Sequence, residues 1–167
     1  MAAKLKLAIG GLVAAGVFAG ASGYLWVSAA VDDDLSYAQS RDDALAAGRE
    51  QIAELNSLDH HRVDEGIARW LEVSTGKLHD ELARTDDATK KSLREGGTVA
   101  TGKVLDAAVN SLDDHTGTAR LLASVEITVA KEGAATSTKR NRFSAQLTRT
   151  ESGWKVSAMD QVPIGAG

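Results

Sequence analysis

For the part that follows its charge-free N-terminal run, the sequence predicts an α+β fold: helices packed on a four-stranded antiparallel sheet. Three observations carry this reading. Apolar residues recur at helical spacing from Leu35 to Leu93. From Val99 onward the pattern switches to alternation with a period of two. The alternating stretches are separated by short turn clusters, Asn110 to Gly117, Glu132-Gly133 and Glu151 to Gly153, which suit hairpins better than crossovers. Helices first and strands afterwards is the segregation of an α+β layer fold. Strands joined in sequence by tight turns make a meander, strongly twisted and curved.

The elements follow in order. Residues 1–6 form a tail carrying Lys4 and Lys6. Residues 7–31 hold no formal charge. As a helix this run spans about 37 Å at about 1.5 Å per residue, longer than the roughly 30 Å hydrocarbon core. It reads as a single transmembrane helix with some tilt. Bases before it and Asp32, Asp33 and Asp34 after it put the N-terminus in the cytoplasm and the rest outside. Tyr24 and Trp26 are interfacial anchors near its outer end. Gly16 and Gly20 match the G-x-x-x-G spacing that lets helices approach closely in lipid. The alternative is a signal peptide cleaved after Val27-Ser28-Ala29, although an ordinary apolar region of that kind runs only about 7–15 residues.

Residues 32–58 read as a stalk and first helix, with Ala38, Leu45, Gly48, Ile52 and Leu55 forming its stripe. An exported domain follows over residues 59–162, with a short tail at 163–167. Asp59 is a candidate N-cap for a helix carrying Val63, Ile67, Trp70 and Leu71. Ser74-Thr75-Gly76 punctuates, Leu78 and Leu82 mark a short third helix, and Asp86 or Asp87 caps a turn that ends at Gly96-Gly97. Val99 to Val109 is a strand with Gly102 as a candidate bulge. Alternation then marks strands around Leu121 to Val129, Arg142 to Thr148 and Trp154 to Ala158. Aromatics make up only 4% of the chain, so Trp70 and Trp154 are assigned to the core with Leu78, Val125, Ile127 and Phe143.

Composition excludes several function classes. The chain has no cysteine, which removes disulfides, thiolate metal sites and cysteine nucleophiles. From Asp32 onward 17 Lys and Arg face 23 Asp and Glu; an acidic domain without a basic stripe releases few phosphate counterions, so nucleic acid is not expected as a partner. Asp106, Glu126 and His79 are the acid–base candidates by residue type. Asp106 sits among Val104, Leu105, Ala107 and Ala108, and an exposed strand carboxylate explains it more simply than a catalytic one. Glu126 alternates with the apolar face and points to solvent. His60 and His61 are neighbours, and consecutive side chains on a helix do not converge on one ion. His115 beside Asp113 and Asp114 is turn chemistry. No cofactor, metal site or catalytic constellation is expected.

The order of a short tail, one apolar helix, a charged helix with Arg41 and Ala44-Leu45, then Ser74-Thr75-Gly76-Lys77-Leu78, then strands closing on Gly153-Trp154-Lys155-Val156 resembles the Mce-associated membrane proteins of actinobacteria. Leu78 departs from the pattern, since many members carry an aromatic there. The resemblance implies an exported cone-shaped domain related to nuclear transport factor 2, the steroid isomerases and VirB8-type secretion subunits. It implies an accessory subunit that binds Mce lipid-import complexes or their permease subunits in the cell envelope. A lipid or sterol carrier, an isomerase-like protein and a secretion scaffold are the alternatives on the same fold.

The anchor reading makes a direct prediction. Intact-mass analysis of the protein from native membranes returns a chain that retains residues 7–31; a mature chain starting at Ala30 would overturn it.

Overall fold

The computed structural model describes residues 35–163. The chain divides into two units, Met1–Gln39 and Ser40–Gly167. Residues 35–39 of the first are helical, with Leu35 and Tyr37 exposed. The membrane helix predicted over 7–31, with Gly16, Gly20, Tyr24 and Trp26, lies outside the described residues. Among the described residues no helix is long and apolar enough to cross a membrane.

In the second unit the helix α1 (residues 40–55 of a helical run that begins at 35) buries Ala44, Gly48 and Ile52. These positions are four apart, so they stack on one face. Arg41, Asp42, Asp43 and Glu50 stay exposed on the others. The buried stripe begins at Ala44; Ala38, assigned to it from spacing, is exposed. α1 stops at residue 55, and Trp70 closes its end. The indole N–H donates to the carbonyls of Glu54 at 2.9 Å and Ser57 at 3.1 Å, satisfying acceptors that a helix end leaves open.

A fifth strand follows. Leu58–Asp59 forms β1, pairing antiparallel with Ala100 and Val99. The sheet is therefore five-stranded, not four-stranded, in the order β1-β2-β3-β4-β5. Two residues are too short to show alternation, which is why spacing missed it. Asp59 caps a 3-10 turn, His60–Arg62, by accepting the His61 N–H at 2.9 Å. Three short helices come next: α2 (Val63–Val73), α3 (Gly76–Ala83) and α4 (Asp87–Glu95). Asp86 caps α4 through the Thr89 N–H at 2.8 Å. Lys90 and Arg94 of α4 both reach Asp64 of α2, and their hydrogen bonds, Arg94 first, hold its carboxyl below the usual carboxylate range.

Four long strands complete the sheet: β2 (Thr98–Asp113), β3 (Thr118–Lys131), β4 (Ser137–Thr150) and β5 (Gly153–Gln161). Strands of this length rarely stay flat, and bulges bend them. In β2 the register slips between Val104 and Asp106 and again between Val109 and Ser111, so the bulged residues are Leu105 and Asn110. A third slip leaves Ser157 unpaired in β5. The bulge is not at Gly102, which pairs regularly with Ile127. Glycine is needed there because α1 comes close: a Cβ would lie 2.7 Å from Asn56 Cβ and 2.8 Å from the Ala53 carbonyl oxygen. Asn110 to Leu112, read as a turn from composition, is strand; the turn is confined to Asp114–Gly117, with Gly117 at φ 62°.

The core lies between α1 and one face of the sheet. Ala44 and Ile52 meet Ala119, Leu121, Ala123 and Val125 of β3, Phe143, Ala145 and Leu147 of β4, and Trp154 and Val156 of β5. Among the residues assigned to the core, Val125 is fully buried and Phe143 and Trp154 nearly so. Leu78 and Ile127 are half-buried at its margin. Trp70 is half-buried and lies outside this cluster, because its polar edge is spent on the end of α1.

Gly102→Ala forces Asn56 and the Ala53 carbonyl apart. It lowers unfolding stability by about 1–3 kcal/mol, the usual range for overpacking. Thr101→Ala, at an exposed neighbour, stays within about 0.5 kcal/mol. Chemical denaturation of the two variants side by side checks the pair.

Candidate functional site

The acid–base candidates do not converge. Asp106 and Glu126 lie on the sheet face opposite the core, in β2 and β3, and Asp106 is exposed. Glu126 accepts from Arg140 at 3.1 Å, its cross-strand partner in the register. His79 sits on α3, away from both. Three surface features gather the chemistry instead.

The first is a groove of about 390 Å³ on that outer face. It crosses the sheet between Ala108 and Leu122 on one side and Asp106, Ser124 and Arg142 on the other. Leu122 is 46% exposed, so the apolar wall is open to solvent. Its rims carry an acid and a base, and nothing in it forms a catalytic pair.

The second is a cleft of about 430 Å³ between α3 and the β4–β5 turn, lined by Ser74, Thr75, Gly76, His79, Glu151, Ser152 and Lys155. Ser74 is buried at 2% exposure. His79 Nδ1 lies 3.1 Å from the Leu71 carbonyl and 3.4 Å from Ser74 Oγ. A carbonyl only accepts, so Nδ1 is the donor in that contact. Ser74 donates to the same carbonyl at 3.3 Å. The hydroxyl and the imidazole Nδ1 thus both point at the Leu71 carbonyl, which ties α3 to the end of α2. The same segment guards the sheet edge: Ser74 bridges to Val156, and the Thr75 N–H donates to the Val156 carbonyl at 2.9 Å. The punctuation at Ser74-Thr75-Gly76 is thus where the helical layer is fastened to β5.

The third is the junction at Asp59, His60 and His61. The two histidines do not lie on an α-helix. Asp59 is extended, at φ −105° and ψ 121°, and His60 and His61 open the 3-10 turn after it.

One further assembly escaped sequence reasoning. Arg149 of β4 donates to Asp114 in the β2–β3 turn and, at 2.9 Å, to Ser40 Oγ at the start of the unit. Its guanidinium also lies 4.8 Å from the Trp154 ring centroid, within cation–π range. The Arg149 hydrogen bond, followed by that of Ser40, holds the Asp114 carboxyl below the usual carboxylate range. Four residues separated by up to 114 positions leave no local signal in the sequence.

Comparison with known proteins bears on fold and kinship. A family model described as "Uncharacterized protein Rv1363c/MT1408-like" matches residues 4–163. The chain is 28% identical over 148 residues to the "Uncharacterized protein Rv1363c" of Mycobacterium tuberculosis (strain ATCC 25618 / H37Rv). That match covers 87% of this chain and 55% of the relative, so the chain spans about half of the relative's length. Among solved structures it is similar to an IcmL-like type IV secretion system protein from Legionella pneumophila, with a TM-score of 0.61 at 10% identity over 76% of this chain and 95% of that one. The periplasmic domain of DotI gives 0.58 at 10% identity over 72% and 93%. Agrobacterium tumefaciens VirB8 gives 0.53 at 11% identity over 72% and 91%. At such identities the likeness is one of fold.

The Arg149 assembly makes stability depend on acid. A carboxyl whose folded pKa is depressed stabilises the fold above its unfolded pKa and loses that stabilisation as pH falls through the lower folded value. For Asp114 the loss sets in below the ordinary value of 3.8. Arg149→Gln removes the cause, so the difference in stability between wild type and variant shrinks as pH is lowered from 6 toward about 3. Denaturation midpoints across that range read it; a difference independent of pH would refute the assignment.

Proposed function

The chain belongs to the Rv1363c/MT1408-like family, and we propose that it works as a non-catalytic accessory subunit of a membrane-bound envelope complex, held there by residues 7–31. The machine we assign it to is an Mce-type lipid importer with its permease subunits. The observation that carries this reading is the filled inner face of the sheet. A lipid carrier or isomerase built on this fold needs room between helices and sheet. Here Ile52, Leu121, Leu147 and Val156 are fully buried in that layer, and a Cβ on Gly48 would overlap the Leu121 side chain. The polar and apolar recesses described above lie on the outside, where a partner protein meets them.

A second reading is favoured by the fold. The solved neighbours are named as a type IV secretion system protein, a periplasmic domain and VirB8, which supports an exported scaffold role in a secretion assembly. The two readings share the anchor, the export and the protein partners, and differ in the machine served.

Purification of the tagged chain from native membranes in mild detergent, followed by mass spectrometry, separates them. Mce and permease subunits are expected as the enriched partners. Secretion components in their place would transfer the assignment to the second reading, and recovery of the chain alone would overturn both.

A further inference from the structure

Asp59, His60 and His61 bring three metal-competent atoms to one spot on the surface. One donor atom from each lies within 4.8 Å of the other two. On an α-helix successive side chains diverge, and the three would not meet. Here the backbone changes from extended at Asp59 to a 3-10 turn at His60, which brings the two imidazoles together with their centroids 3.8 Å apart. Asp59 is anchored on both sides of this change. Its backbone is paired with Val99, and its Oδ1 accepts the His61 N–H at 2.9 Å.

Metal–nitrogen bonds of about 2.0–2.1 Å and metal–oxygen bonds of about 2.0–2.2 Å place donors on a tetrahedral ion about 3.3 Å apart. A carboxylate offers about four lone-pair directions, so capping the turn leaves Asp59 able to ligate. Arg62 Nε lies 3.4 Å from Oδ2 on an exposed side chain and is a weak competitor for it. Two imidazoles and one carboxylate suit Zn²⁺ and Cu²⁺ and do not suit Mg²⁺ or Ca²⁺, which take all-oxygen shells.

We propose that Asp59, His60 and His61 form a surface binding site for a borderline divalent transition-metal ion of the Zn²⁺/Cu²⁺ class, with water completing the shell. The site joins the end of β1 to the turn that leads into α2.

Calorimetric titration tests it, using the full chain in detergent with an affinity tag free of histidine and ZnCl₂, CuCl₂ and MgCl₂ as probes. One Zn²⁺ per chain is expected, Cu²⁺ is tighter, and Mg²⁺ gives no binding. Changes one shell out from a metal cost roughly 10–100-fold in affinity, so His60→Ala and His61→Ala each weaken Zn²⁺ binding by about tenfold or more. Asp59→Asn keeps an N-cap residue but removes the anionic donor, and it weakens binding without changing the circular dichroism spectrum. His79→Ala and His115→Ala bind as the parent does. Zn²⁺ affinity unchanged in the His60 and His61 variants, or binding lost equally on changing His79 or His115, would overturn the site.

Discussion

Helix α1 lies so close to the sheet that a Cβ at Gly48 would overlap the buried Leu121 side chain, and the rest of the domain is arranged around that approach. A Cβ on Gly102 would press on Asn56 and the Ala53 carbonyl. Two glycines, one on the helix and one on the sheet, thus set the spacing of the layers. Ser57 Oγ accepts the Gly102 N–H at 2.9 Å, which fixes the helix end against the edge of β2. With the spacing fixed, Ile52 and Ala44 can fill the layer with Leu121, Leu147 and Val156. Interiors are packed tightly enough that such a contact has little tolerance in either direction.

Legibility in the sequence followed how local the cause was. The four long strands showed because one face of each is covered, and a half-buried strand must alternate. Asp86 showed as the cap of α4 because a cap is satisfied within three residues, whereas Asp59, expected to cap α2, caps the 3-10 turn before it, and α2 starts from Arg62 without a side-chain cap. What stayed hidden depends on a partner far along the chain. β1 is strand only because β2 runs beside it. Gly102 read as a bulge because a glycine in a strand has several explanations, and only the position of α1 selects among them. The scarcity of aromatics assigns Trp70 to the core, while its N–H holds it at the end of α1 by finding two carbonyls. At the site level, the histidine pair was judged on helical geometry. The extended residue before it changed which atoms meet.

The sheet edges show a second constraint. A meander leaves two outer strands with unpaired backbone groups, an invitation to pair with other chains. At one side, β1 covers the start of β2, and the bulges at Leu105 and Asn110 disturb the remainder. At the other, Ser74 and Thr75 cover β5 at Val156, and Ser157 bulges beside them. The segment joining α2 to α3 is therefore part of the sheet's protection as well as a connection.

The bond from Gln51 Nε2 to the Trp154 carbonyl, 2.5 Å long, joins positions 103 apart. It ties α1, near the start of the described residues, to β5. Local structure forms early in synthesis, but contacts of this range are slow to close. Until β5 arrives, the Ala44–Gly48–Ile52 stripe has an incomplete surface to lie on. Synthesis from the N-terminus therefore leaves the apolar face of α1 short of its last cover until β5 is made, and the cell must keep that face from other company in the meantime.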